Sequence, residues 1–112
     1  MDEYYRAVKA LPAWLAAPLA QLPAQTAVRV QELRLRIGCA VTFTVQGRQC
    51  AASVLPGCPP ALAAMRLDAL QIEEIFDVAF RSFDWRKIQC KRPQILLFCI
   101  GDHFFDHFFM NS

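Results

Sequence analysis

Residues 28–45 read VRVQELRLRIGCAVTFTV, two alternating runs on either side of Gly38. In the first, Leu33, Leu35 and Ile37 alternate with Glu32, Arg34 and Arg36. Successive strand side chains face opposite sides of a sheet, so this pattern predicts a half-buried strand. In the second, Val41, Phe43 and Val45 alternate with Thr42, Thr44 and Gln46, again at period two and rich in β-formers. Gly38 accommodates the positive φ of a reversal, and Cys39-Ala40 gives a loop of hairpin length, so the two runs predict a β-hairpin. Val28 and Val30 are out of phase with Leu33 and Leu35, so the strand either begins near Gln31 or carries a bulge.

Helical periodicity frames this hairpin. Residues 2–10 predict a short helix, with Asp2 and Glu3 in the first turn and Arg6 and Lys9 further on, as the helix dipole favours; Leu11-Pro12 ends it. Residues 12–22 place Trp14, Leu15, Leu19 and Leu22 at helical spacing, with Pro18 kinking or shortening the helix. Leu22-Pro23-Ala24-Gln25 leads into the hairpin, Gly47-Arg48 makes a second turn, and residues 49–55 predict a third strand. A Pro- and Gly-rich loop follows at residues 56–60, then one helical turn over 61–65. Asp68 with Gln71 three positions on forms a capping-box pattern. Beyond it Ile72, Ile75, Phe76, Ala79 and Phe83 make an apolar stripe, with Glu73, Glu74, Asp77 and Arg81 on the outer face. The predicted fold is α+β: N-terminal helices, a small antiparallel three-stranded sheet covered by one amphipathic helix, and an irregular C-terminal tail.

A chain of 112 residues makes one domain and buries roughly two thirds of its unfolded surface. The division expected is an assembly or regulatory domain over residues 1–83 and a basic, aromatic tail over 84–112. The tail holds Arg86, Lys87, Lys91 and Arg92, then GDHFFDHFFMNS, with four of the nine phenylalanines. A net charge of +2 creates no polyanion-binding field by itself. Hydrophobic content of 55% and a mean hydropathy of +0.24 point to apolar surface that meets a partner. No run approaches the ~20 apolar residues that span a bilayer. Asp2 and Glu3 precede the apolar residues 10–20, which Pro12 and Pro18 interrupt, so this segment is expected to be mature sequence rather than a signal peptide. Five cysteines without a CxxC pair fit reduced cytosolic thiols better than a disulfide framework.

At Glu32-Leu33-Arg34-Leu35-Arg36-Ile37-Gly38 the chain resembles the N-terminal region of stage III sporulation protein AA, the secretion-type ATPase of endospore-forming bacteria. That family opens with a short helix, an LP-containing helical segment, a strand close to EIRLR-hydrophobic-G-R-P, a second alternating strand and an acid-capped helix. Leu11-Pro12, Leu22-Pro23, ELRLRIG, residues 41–45 and residues 68–80 match in order and spacing, over roughly the first three quarters of the chain. The Arg-Pro after the glycine is Cys39-Ala40 here, and residues 84–112 do not align. With glycines only at 38, 47, 57 and 101, the sequence contains no G-x-x-x-x-G-K-[ST] phosphate loop. The resemblance therefore implies a non-catalytic N-terminal domain or truncated fragment of such an ATPase, its tail consistent with a frame-shifted or read-through end. The family role implies protein partners of a sporulation channel complex or self-association, in the cytoplasm and at the membrane face through those partners. No cofactor is expected, ATP belonging only to the motor domain.

The candidate partner-binding residues are Glu32, Arg34 and Arg36 on one strand face, with Arg48 near them across the turn. Strand-face arginines suit bidentate pairing with carboxylates; a solvated face with cross-strand charge pairing is the plainer reading. The alternative function is a small nucleic-acid-binding module using Arg34, Arg36, Arg48 and the basic residues 86–92, with Phe43 or tail aromatics for stacking. Near-neutral charge and the acidic helix face count against it. Cys90, Cys99, His103 and His107 follow no established zinc spacing, and His103 with Asp102 or Asp106 lacks the nucleophile a catalytic dyad needs. No metal or catalytic residue is expected. Adjacent Glu73 and Glu74 point about 100° apart on a helix and cannot work as a carboxylate pair.

Overall fold

The computed structural model describes residues 2–82 together with the backbone of two strands at 88–90 and 95–99. The fold is α+β. Helices α1 (Asp2–Lys9), α2 (Ala13–Ala20) and α3 (Ala24–Ala27) precede strands β1 (Val30–Arg36), β2 (Thr42–Val45) and β3 (Arg48–Ala51). A 3-10 turn at Ala52–Val54, helix α4 (Pro60–Ala63) and the long helix α5 (Ala69–Ser82) follow. Strands β4 (Ile88–Cys90) and β5 (Ile95–Cys99) complete a sheet of order β3-β2-β1-β5-β4, antiparallel at every pairing.

The three antiparallel strands expected from the alternation are present, and the sheet extends beyond them. Glu32, Leu33, Arg34, Leu35 and Arg36 pair with Cys99, Phe98, Leu97, Leu96 and Ile95, so β1 is the central strand. An unpaired strand edge is a row of unused donors and acceptors, and the apolar, β-favouring run ILLFC supplies a strand to meet it. Two strands thus arise in the segment that periodicity left irregular, and one sheet takes strands from both sides of the 83/84 division. Phe83, the basic residues 86, 87, 91 and 92, and the GDHFFDHFFMNS stretch lie outside the described residues.

The phase problem at the start of β1 is solved by a bulge. Val30 pairs with Val45 and Glu32 with Thr44, two residues opposite one, with Gln31 as the extra residue. This returns Val30 to the core side with Leu33 and Leu35, all three buried. The Gln31 Oε1 accepts from the Gly47 N–H at 2.7 Å, so the bulged residue ties the strand to the next turn.

That turn is Gln46-Gly47, one residue earlier than expected: Val45 pairs with Arg48 across a two-residue loop, with φ of 52° and 78° at its centre. Two positive φ values define the primed turn that matches strand twist. The β1–β2 connection is looser. Gly38, at φ 75°, donates its N–H to the Leu67 carbonyl at 2.7 Å, and single bridges join Ile37 to Leu67 and Ala40 to Arg66. Strand β3 stops at Ala51, earlier than expected, and the 3-10 turn follows, with the Ala52 N–H still bonded to the Val41 carbonyl at 2.9 Å.

Leu33, Leu35, Val41 and Phe43 form one apolar cluster with Tyr4, Val8, Leu11, Leu15, Leu19, Leu62, Ile72, Ile75 and Ala79. Several helices, rather than α5 alone, therefore share the core face of the sheet. Adjacent tyrosines splice α1 to the end of α2: Tyr4 donates to the Leu19 carbonyl and Tyr5 to the Leu22 carbonyl, both at 2.7 Å. The segment expected to run straight into the hairpin instead forms α3, with Pro23 as its N-cap in extended backbone. Its Thr26 hydroxyl donates to the Pro56 carbonyl at 2.9 Å. The capping box forms as the sequence predicts: Asp68 Oδ1 accepts from the Gln71 N–H at 2.8 Å, and Gln71 Oε1 from the Asp68 N–H at 2.9 Å.

Candidate functional site

The register determines which candidate residues share a face, because directly paired strand residues project the same way. Leu33, Phe43 and Cys50 form one cross-strand row on the core side, and Glu32, Thr44 and Gln49 form a row on the other. Arg34 pairs with Thr42 on that second side, and Arg36 follows two residues along β1. Arg48 is elsewhere: it pairs with Val45, which pairs with Val30, on the side of the sheet that carries the core. The expected proximity of Arg48 to Arg34 and Arg36 is corrected by this register. The two-residue loop at Gln46-Gly47 assigns that place to Gln49.

Glu32 is not a solvent-facing carboxylate. It is buried, with 8% of its surface exposed, and accepts from the Thr44 hydroxyl at 3.0 Å. Burial of a carboxylate is costly unless its oxygens find donors, and the cross-strand hydroxyl supplies one.

Arg34 is half-buried beside it. With the Gln49 amide oxygen turned toward the guanidinium, that oxygen accepts from Nη1 at 3.0 Å and Nη2 at 3.2 Å. The Nε atom is buried with no acceptor. Thr42 donates to the Arg34 carbonyl at 3.4 Å, a weak cross-strand bond. Arg36, at the end of β1, is exposed. Among the described residues no carboxylate is ion-paired with Arg34 or Arg36. Among the described residues, the face therefore carries the Arg34 and Arg36 guanidinium groups and the Glu32 carboxylate, with the Gln49 amide as the side-chain partner of Arg34.

Other candidates resolve differently. Glu74, read from sequence as simply solvated, accepts from the Trp14 indole N–H at 3.1 Å and links α5 to α2. Cys39, Cys50 and Cys58 are free, half-buried thiols. Cys58 donates to the Pro59 carbonyl at 3.4 Å, and burial pushes its thiol pKa up, away from the nucleophilic thiolate. Among the described residues no group of three His, Cys, Asp or Glu side chains is placed to hold a metal. His103 and His107 lie outside those residues, as do Asp102 and Asp106.

Gln49 and Thr44 are the site residues that the sequence reading missed. The signal was present in the strand alternation, once the turn is placed at Gln46-Gly47 rather than at Gly47-Arg48. Among the described residues no helix is long and apolar enough to cross a membrane. Comparison with family models, curated proteins and solved structures found no match to this chain.

Proposed function

We propose that this chain is a non-catalytic assembly domain, of the kind that forms the N-terminal region of secretion-type sporulation ATPases resembling stage III sporulation protein AA. On this reading it works by protein contact, with a channel-complex protein or the next copy of itself, on the cytoplasmic side of a membrane. The supporting sequence is the succession of short helix, LP segment, ELRLRIG strand, alternating second strand and acid-capped helix.

The observation that carries the reading is the pair Arg34 and Arg36 on one face of the central strand, without a carboxylate partner among the described residues. A half-buried guanidinium held, among the described residues, by a neutral amide retains its charge and spare donors for an external acceptor. The same geometry counts against nucleic-acid binding: Arg48 lies on the other side of the sheet and Arg34 is tethered, so the described basic residues do not form one phosphate-tracking stripe. Sedimentation velocity of the full chain over a concentration series tests the proposal. Self-association that is lost when Arg34→Glu and Arg36→Glu are combined is the expected result, and association unchanged by the pair contradicts it.

A further inference from the structure

We infer that the outer face of α5 is a docking surface for a basic amphipathic segment of another protein, one that presents two apolar side chains with lysine or arginine between them. The inference goes beyond the assembly reading and uses a different side of the molecule. Ile72, Ile75 and Ala79 place α5 on the core side of the sheet, whereas Arg34 lies on the other side. Away from that core, Leu70 is 77% exposed and Phe80 54%. A helix rises 1.5 Å and turns 100° per residue, so Leu70 and Phe80 stand about 15 Å apart, and positions 70, 73, 77 and 80 fall within about 80° of one another. Glu73 and Asp77, both exposed, occupy the middle of this stripe. Its order is apolar, acid, acid, apolar. Among the described residues neither of these two carboxylates has a hydrogen-bond or ion-pair partner. Phe80 stacks on Phe76, ring centroids 5.5 Å apart and planes at 29°, so one apolar anchor is already held before a partner arrives.

The charges select the occupant. A second copy pairing antiparallel, so that Leu70 meets Phe80, also sets Glu73 against Asp77, because both pairs are centred on Ile75. Parallel pairing sets each carboxylate against itself. Like charges opposed in an interface cost free energy, so α5 disfavours its own kind. A lipid surface is disfavoured by the same two carboxylates, which lose hydration in its apolar boundary and are repelled by anionic headgroups. A segment with cations between two apolar side chains covers Leu70 and Phe80 and pairs both acids at once.

The test titrates the full chain, labelled with nitrogen-15, with a capped helical peptide carrying two leucines at the spacing of Leu70 and Phe80 and lysines between them. Two control peptides replace its lysines by glutamate or its leucines by serine. The expected result is movement of the backbone amide resonances of residues 70–80 with the first peptide alone. Affinity is expected to fall about tenfold when Leu70→Ser and Phe80→Ser are combined, the scale of truncated interface anchors, and by a similar factor when Glu73→Gln and Asp77→Asn are combined. All four positions are exposed, so both variants leave the core intact. No movement in α5, equal movement with either control peptide, or undiminished affinity in either variant overturns the inference. Movement of the same amides with protein concentration, in the absence of peptide, identifies a second copy as the occupant and overturns it too.

Discussion

With its amide oxygen turned toward the guanidinium, Gln49 accepts from Arg34 Nη1 at 3.0 Å and Nη2 at 3.2 Å, and bridges β3 to β1 across the intervening β2. This contact keeps a half-buried guanidinium in place without neutralising it. Replacing the amide by a carboxylate separates the two effects. Gln49→Glu supplies an ion pair across the sheet, and denaturant unfolding is expected to show a stability change of at most about 1 kcal/mol, because Gln49 is exposed. Association is expected to weaken, since the face has lost a net charge.

Gly57 packs against the ring of Pro23, joining the loop before α4 to the start of α3. Its φ is 78°, and a Cβ added there would fall 2.6 Å from Pro23 Cδ and closer still to Cγ. Gly38 has a similar φ of 75° but open space around the same position. Gly38→Ala is expected to cost about 1 kcal/mol from backbone strain alone. Gly57→Ala adds a clash with a ring that cannot rotate aside and is expected to cost at least about 2 kcal/mol. Equal midpoints for the two variants in urea would show that the Pro23 contact is unimportant.

The reciprocal bonds of Asp68 and Gln71 satisfy two free N–H groups at the start of α5. Asp68→Ala is expected to destabilise the domain by about 1 kcal/mol, while Asp68→Ser, which keeps an acceptor, recovers most of the loss. Hydrogen exchange of the first-turn amides of α5 is the local readout, accelerating in the alanine variant only.

Tyr4 is buried, its hydroxyl bonded to the Leu19 carbonyl, and burial raises its pKa. The raised folded-state pKa means that the native state holds the phenolic proton at pH values where the unfolded chain has released it. Stability is therefore complete below the ordinary tyrosine pKa of about 10 and falls as pH rises beyond it. Tyr4→Phe is expected to cost about 1 kcal/mol at neutral pH through the lost hydrogen bond. It is also expected to flatten the alkaline fall, which unfolding curves at neutral and high pH will reveal.

Much of this fold was legible because single residues carry unambiguous geometry. The alternation of β1 and β2, the reversal at Gly38 and the Asp68 cap each follow from local chemistry, and the misphased Val30 left a late strand start or a bulge, of which the register selects the bulge. Less legible were features set by partners distant in sequence. ELRLR reads identically at a sheet edge and at its centre, so β5 pairing with β1 was invisible. The burial of Glu32 depends on its neighbours across the sheet rather than on its alternation. A one-residue difference in turn placement changed the neighbour of Arg34 from Arg48 to Gln49, since strand faces alternate at every residue. The site was therefore half legible: Arg34 and Arg36 were named correctly as sharing a face, while the amide that holds Arg34 was not.

The most direct test of the central claim is the charge reversal of Arg34 and Arg36 together, followed by sedimentation velocity, with circular dichroism establishing that the double variant remains folded. The assembly account predicts that a folded Arg34→Glu, Arg36→Glu chain sediments as a monomer at concentrations where the unaltered chain associates. A folded double variant that associates as the unaltered chain does would contradict it.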